Sequence, residues 1–249
     1  MSFVAYRMNG TLLNDYARAL EQDGFALAPD FLGETGTIEL AAAMDRLAAR
    51  RGAEGRAGVR NILPETEAVA AWVCSAPVRE LLGTIFSRSA FVTRSILFDK
   101  SPAANWAVAW HQDLTIAVAE RKEAPGYGGW SIKDGLAHVQ APRETLERMT
   151  TLRLHLDNCP ADNGALRVLP GAHRLGKLEA RRLGKLAGEI RPAFCATRRG
   201  GLLLMKPLLP HSSEAAKSPG RRRVLHLEFA DFELPGGLAW ASRFGHLSA

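Results

Sequence analysis

The chain has 249 residues, of which 47% are hydrophobic and 23% charged, with a net charge of +6. This is the balance of a folded globular protein with a sizeable core. Three cysteines, Cys74, Cys159 and Cys195, form no CxxC pair, which excludes a disulfide frame and a cysteine–zinc site and suits a reducing cytoplasm. No signal-peptide pattern opens the sequence and no run reaches membrane length, so no membrane association is expected. The basic residues are dispersed, with clusters at Arg46–Arg60, Arg181–Lys185, Arg198–Arg199 and Arg221–Arg223. They carry no interleaved aromatics, so nucleic acid is not an expected partner. Solvated faces account for most of them, and an anionic small-molecule substrate is the sharper reading of the charge.

In chain order, residues 11–23 place Leu12, Leu13, Tyr16 and Leu20 on one helical face, with Gly24 as a stop. Phe25–Ala28 reads as a short strand. A second helix runs from Gly33 to about Arg51 on a stripe of Ile38, Leu40, Ala41, Met44, Leu47 and Ala48. A glycine-rich charged loop covers 52–58, and Arg60–Leu63 reads as a short strand or a ligand-facing turn. Residues 66–86 suggest two short helices broken at Pro77. Phe91–Phe98 is a strand candidate, 99–105 a turn, and Trp106–Val118 a further strand. Residues 120–137, rich in glycine, charge and aromatics, suggest a lid loop carrying Trp130 and Lys133. His138–Gln140 is a short extended piece and Thr145–Met149 a helical turn. Thr151–Asp157 alternates strictly, with leucines on one face and Thr151, Arg153, His155 and Asp157 on the other. Asp162-Asn163-Gly164 is a turn, Ala165–Leu169 a strand, and Pro170–Arg174 a corner with His173 in it. A basic segment runs to about Ile190, and Leu202–Met205 and Arg222–Ala230 are the last strands. The expected fold is mainly β: a double-stranded β-helix, or jelly roll, decorated by helices. It is expected as one domain, with a helical part over 1–89, a core over 90–232 and a tail over 233–249.

Within the Trp106–Val118 strand, His111 and Asp113 are two apart and project to one face, with Gln112 and Trp110 opposite. An imidazole and a carboxylate on a stiff support are two of the three ligands of a 2-His-1-carboxylate iron site. His211 follows an apolar strand and can return from a neighbouring strand as the third. In the last strand, Leu225, Leu227 and Phe229 belong under helices, and Arg223 shares their parity. Arg222 shares the opposite, inward face with Val224 and His226. A buried arginine there needs an anion, and its planar fork suits a carboxylate.

The sequence resembles the phytanoyl-CoA dioxygenase family of Fe(II)/2-oxoglutarate-dependent oxygenases. The resemblance rests on Trp110-His-Gln-Asp113, on Asp162-Asn-Gly-Ala-Leu-Arg-Val-Leu-Pro-Gly-Ala-His-Arg174, on His211-Ser-Ser213 with Arg222-Arg-Val-Leu-His226, and on Asp23–Leu32. It implies that His111, Asp113 and His211 bind iron, that Arg222 pairs with the distal carboxylate of 2-oxoglutarate, and that Ser213 hydrogen-bonds the same end. It also implies the use of O2: decarboxylation of 2-oxoglutarate to succinate and CO2 coupled to oxidation of an unactivated C–H bond. Halogenating relatives lack the carboxylate ligand, so Asp113 points to hydroxylation or another oxidation rather than halogenation. Arg94, Lys100 and Thr151 are further candidates for the 2-oxoglutarate or substrate site. Trp130 and Lys133 are candidate substrate contacts. His138, Gln140, His155 and His226 are expected inside the barrel as satisfied polar groups, with His138 and Gln140 also carried as substrate candidates. His246 is expected to be exposed. The competing readings are a zinc enzyme on the same triad and a non-catalytic jelly-roll module.

Overall fold

The computed structural model of the protein describes residues 9–53, 58–101, 105–217 and 220–247. Arg56 with most of the 52–58 loop, part of the 99–105 turn, Pro219 and the His246 side chain lie outside the described residues. Helix α1 (Gly10–Asp23) starts at Asn9, whose side chain accepts the Leu12 N–H at 2.9 Å. It stops at Gly24, φ 83°, where a Cβ would fall 2.5 Å from His173 Nδ1. Only glycine both closes the helix there and admits the histidine. The strand β1 (Phe25–Ala28), α2 (Glu34–Arg50), β2 (Gly58–Arg60), α3 (Glu67–Val73) and α4 (Ala76–Ile85) follow. Pro77 sits in the first turn of α4, a position that a missing N–H tolerates. Among the described residues no single helix is long and apolar enough to cross a membrane.

The remainder is mostly strand: β3 (Ala90–Lys100), β4 (Val108–His111), β5 (Thr115–Val118), β6 (Gly128–Lys133) and β7 (Leu136–Gln140), then α5 (Arg143–Glu147), β8 (Thr150–His155) and β9 (Leu166–Val168). After these come α6 (Ala180–Glu189), β10 (Ala193–Phe194), β11 (Leu202–Met205), β12 (His211–Ser213), β13 (Arg222–Ala230) and β14 (Phe244–Leu247). A major sheet runs β1-β11-β8-β13-β3-β14, with β2 also on β3; a minor sheet runs β10-β9-β12-β4; and β5-β7-β6 form a third. The named pairings are antiparallel, as a double-stranded β-helix requires.

The major sheet has two chemically opposed faces. Leu152, Leu154, Leu202, Leu204, Leu225, Leu227 and Phe229 pack outward against Leu20 of α1, Met44 and Leu47 of α2, Trp72 of α3 and Leu82 of α4. Each such buried side chain contributes about 1.5–3 kcal/mol. The inward face is built in rungs across β3, β13 and β8. Lys100 lies beside Arg222, Phe98 beside Val224 and His155, Ile96 beside His226 and Arg153, and Arg94 beside Glu228 and Thr151. The assignment of the adjacent arginines by parity holds. Arg222 faces in, whereas Arg223 reaches back under the helices to Asp157 and Asp45 at 2.8 and 2.9 Å.

Three expectations are corrected. The 120–137 segment is a loop only to Tyr127; its second half is β6, turned into β7 by Asp134-Gly135 with φ 48° and 78°. An Asp-Gly pair between alternating residues is a type I′ hairpin signal, here masked by the surrounding glycines. The Trp106–Val118 strand is two strands in different sheets, so Asp113 lies in the bend between them and not on a strand. Its N–H is tied to the Pro207 carbonyl at 3.0 Å, which aims the side chain. Ile38, placed on the apolar stripe of α2, is 50% exposed, because that helix meets the sheet through Leu40, Met44 and Leu47 instead.

The Arg223–Asp157 pair ties β13 to the end of β8 beneath α2. Burial alone would raise the Asp157 pKa, but the hydrogen bonds and charge of Arg223 outweigh it and hold the carboxyl below its ordinary range. This stability is present above about pH 4 and is lost as pH falls through the depressed pKa. Arg223→Met is expected to cost about 3 kcal/mol at neutral pH and to flatten the acid limb of stability, measured by urea unfolding from pH 7 to pH 3.

Candidate metal centre and cavity

β4 and β12 pair antiparallel with His111 directly opposite His211. The two rings are therefore neighbours, with centroids 4.1 Å apart. The chain then bends, and Asp113 returns to the same point, its Oδ2 3.7 Å from His211 Nε2. One donor atom from each of His111, Asp113 and His211 lies within 4.8 Å of the others. Each histidine is oriented by its own strand: Nδ1 of His111 lies 2.8 Å from the Ala109 carbonyl, and Nδ1 of His211 lies 2.9 Å from that of Leu209. A carbonyl can only accept, so Nδ1 carries the proton and each Nε2 lone pair is free. Burial pushes the His211 pKa down to about 4, against the opposing charge of Asp113. Burial alone would raise the Asp113 pKa, but the nearby His211, His226, Arg94 and His111 hold it well below the usual carboxylate range. Asp113 Oδ2 is buried and accepts no hydrogen bond. Two imidazole lone pairs and an unsatisfied carboxylate oxygen, converging on one point, fit a divalent cation.

The triad opens on a cavity of about 160 Å³ whose wall includes Ile96, Phe98, Val108 and Val224. At its far end are Arg222, Lys100 and Ser213. Arg222 is 6% exposed, and among the described residues it donates a weak hydrogen bond to Cys159 Sγ at 3.6 Å. Lys100 donates to the Trp106 carbonyl at 2.8 Å and lies 3.4 Å from Ser213 Oγ. Burial, with Arg222 and Arg153 beside it, pushes the Lys100 pKa down to about 8. Among the described residues no carboxylate pairs with either Arg222 or Lys100. Gly164, from the Asp162-Asn-Gly turn, abuts this end: a Cβ there would meet the Glu214 carbonyl at 2.9 Å and Arg222 Nη2 at 3.6 Å.

A chain of polar contacts runs under the cavity. Arg94 is ion-paired with Glu228. Glu228 Oε1 lies 3.1 Å from His226 Nε2, and His226 Nδ1 lies 2.7 Å from Arg153 Nη1. Arginine can only donate, so His226 accepts at Nδ1 and gives its Nε2–H to Glu228. His226 is thus a satisfied structural group, as expected, whereas His155 is not: both its ring nitrogens are buried without a partner, and burial with Arg153 nearby pushes its pKa down to about 3.

The remaining candidates are dispersed. Arg94 lines the cavity but is committed to Glu228. Thr151 is fully buried on the inward rung of Glu228 and is not part of the cavity lining. Trp130, Lys133, His138 and Gln140 lie on the β6–β7 hairpin, outside the cavity lining. Lys133 is half-buried; desolvation and the neighbouring Arg94 and Arg60 lower its pKa. His138 is buried, its Nδ1 on the Leu136 carbonyl at 3.1 Å, while Gln140 is exposed. The sequence places Arg153 on the polar face of its strand without making it a site candidate, and Phe98 and Glu228 are not singled out there. All three share the inward parity that identified Arg222, so carrying that alternation across β3, β8 and β13 would have found them.

The sequence pattern that defines the phytanoyl-CoA dioxygenase (PhyH) family matches residues 20–224. None of the curated proteins compared matches the chain by sequence. Among solved structures, the chain is similar to EctD from S. alaskensis with bound Fe, at 17% identity and TM-score 0.72, over 99% of this chain and 90% of that one. It is similar to the epimerase SnoN in complex with Fe3+, alpha ketoglutarate and nogalamycin RO, at 17% identity and TM-score 0.70, over 97% of both chains. It is also similar to the alpha ketoglutarate dependent carbocyclase SnoK from nogalamycin biosynthesis, at 15% identity and TM-score 0.69, over 94% and 88%. At these identities the likeness is one of fold. The family match covers most of the chain, including the full His111–Asp113–His211 triad and Arg222, and on that ground the protein belongs to the phytanoyl-CoA dioxygenase family.

Proposed function

We propose that this protein is an Fe(II)/2-oxoglutarate-dependent oxygenase that hydroxylates an unactivated C–H bond of a small molecule. The observation that carries the reading is the joint presence of the three converging donors and, across the same cavity, an arginine with no carboxylate beside it. His111, Asp113 and His211 would hold Fe(II), and Arg222 with Ser213 would hold the distal carboxylate of 2-oxoglutarate. The bound metal, with O2, supplies the oxidising power that couples decarboxylation of 2-oxoglutarate to succinate and CO2 with oxidation of the substrate.

The chain's own contribution is positioning. The Ala109 and Leu209 carbonyls lock both imidazoles in the tautomer that presents Nε2. The backbone bond from Asp113 to Pro207 fixes the carboxylate. His111, Asp113 and His211 would hold the metal from the protein side and would leave it accessible to the keto acid and O2. Arg222 meets the far carboxylate as a planar fork, and Lys100 and Ser213 complete that end. Ile96, Phe98, Val108 and Val224 exclude water from the path between the ends. The presence of Asp113 supports oxygen insertion over halogen transfer, since it takes the position that a halide ligand would need. The unpaired Arg222 supports the oxygenase over a zinc hydrolase, which has no use for a dicarboxylate clamp.

Asp113→Ala is expected to lose stoichiometric Fe(II), read by metal analysis after anaerobic gel filtration, while the fold persists by circular dichroism. Arg222→Met is expected to raise the 2-oxoglutarate requirement on the order of 100-fold, from the 2–5 kcal/mol cost of truncating one side of a buried charge pair. The assay is succinate release in the absence of added substrate. Unchanged succinate release from both variants contradicts the assignment.

A further inference from the structure

Arg153 is 8% exposed and lines the cavity, yet among the described residues its hydrogen bond goes to a neutral imidazole, His226 Nδ1, at 2.7 Å. Its Nε is buried with no partner. The Phe98 ring lies 5.2 Å from its Cζ. The nearest acid in the polar chain, Glu228, is bound by both Arg94 and His226. Among the described residues no carboxylate pairs with Arg153. A guanidinium keeps its proton in any protein environment, and an uncompensated buried charge costs several kcal/mol. The Arg94–Glu228–His226 chain fixes the orientation of Arg153 and leaves its charge unmatched.

The anions already assigned to the cavity do not reach it in number. Arg94, Lys100, Arg153 and Arg222 line the cavity against one carboxylate, Asp113. Asp113 belongs to the metal triad, and Glu228 answers Arg94. Of the two carboxylates of 2-oxoglutarate, the distal one goes to the Arg222–Lys100–Ser213 end and the other to the metal. Arg153 is rooted on the rung of His226 and Ile96, with the Val224–Phe98–His155 rung between it and the Arg222–Lys100 rung, and its charge adds to that of Lys100 and Arg222 within the same cavity. One distal carboxylate is then left to answer three buried cations, Lys100, Arg153 and Arg222, and after metal and keto acid the remaining source of a further anion is the molecule to be oxidised.

We propose that Arg153 is a second carboxylate-binding residue of the cavity and that the group it binds belongs to the primary substrate, a small organic acid whose apolar part lies against Ile96 and Phe98. This rests on the oxygenase reading, because it takes Arg222 as the partner of 2-oxoglutarate. The positive charge of the whole chain, +6, favours approach of such an anion.

The test is equilibrium binding. Full-length protein, loaded anaerobically with Fe(II) and saturated with 2-oxoglutarate, is titrated calorimetrically with acetate and, separately, with acetamide, its uncharged isostere. Wild type is expected to bind acetate at least tenfold more tightly than acetamide. Arg153→Met is expected to abolish that preference while changing 2-oxoglutarate affinity less than threefold, and Arg222→Met to weaken 2-oxoglutarate. Arg153→Lys, which keeps the charge without the fork, guards against misfolding and is expected to fall between wild type and Arg153→Met. Equal binding of acetate and acetamide by wild type would overturn the proposal. So would a loss of 2-oxoglutarate affinity in Arg153→Met as large as that in Arg222→Met, since Arg153 would then belong to the keto-acid site. Failure of wild type to bind 2-oxoglutarate at all would overturn the oxygenase reading beneath it, and the proposal with it.

Discussion

Arg153 and Arg222 project from the inner face of the major sheet into one cavity, both buried and neither beside a carboxylate. Positive charge held out of water in this way destabilises a fold unless something compensates it. The compensation inside the chain is partial: Glu228 serves Arg94, and Asp113 faces the histidines. The outer face of the same sheet is apolar and covered by four helices, and that packing supplies the stability that holds charged rungs in place. A cavity so arranged is matched electrostatically to anions and a metal cation together. Its apolar walls strengthen each interaction by keeping water away.

The metal triad shows how backbone placement performs a chemical selection. Antiparallel register sets His111 against His211, and carbonyls two residues back on each strand choose the tautomer. The third donor comes from the bend where the chain leaves the minor sheet for the β5–β7–β6 sheet. A straight strand would also have put His111 and Asp113 on one face. The bend adds a backbone tie to Pro207, so the carboxylate is aimed by a bond outside its own strand. Gln112, between them, binds the Gly176 and Leu208 carbonyls and the Leu178 N–H, fastening the bend to the segment before α6.

Much of this was legible from alternation alone. The leucines of Thr151–Asp157 and the Leu225–Leu227–Phe229 set defined the covered face, and parity separated Arg222 from Arg223 correctly. What stayed hidden depends on register between strands. No single stretch tells that Arg153 sits beside His226, or that Glu228 sits beside Arg94, because those rungs join residues far apart in the chain. The break before Asp113 was hidden for a different reason. Trp106–Val118 is continuously strand-like in composition, and it is pairing with different sheets that divides it. The β6–β7 hairpin was obscured by glycines that suggested a loop, although Asp134-Gly135 carried the turn signal.

The central claim is that one cavity holds a metal at His111–Asp113–His211 and a keto acid reaching from it to Arg222. The most direct measurement is an anaerobic optical titration of the metal-free protein with Fe(II) and then 2-oxoglutarate. The account predicts a visible charge-transfer band that needs both additions, saturates at one equivalent of metal, is absent in Asp113→Ala, and requires far more 2-oxoglutarate in Arg222→Met. A folded wild-type protein that takes up Fe(II) and develops no band with 2-oxoglutarate would contradict it.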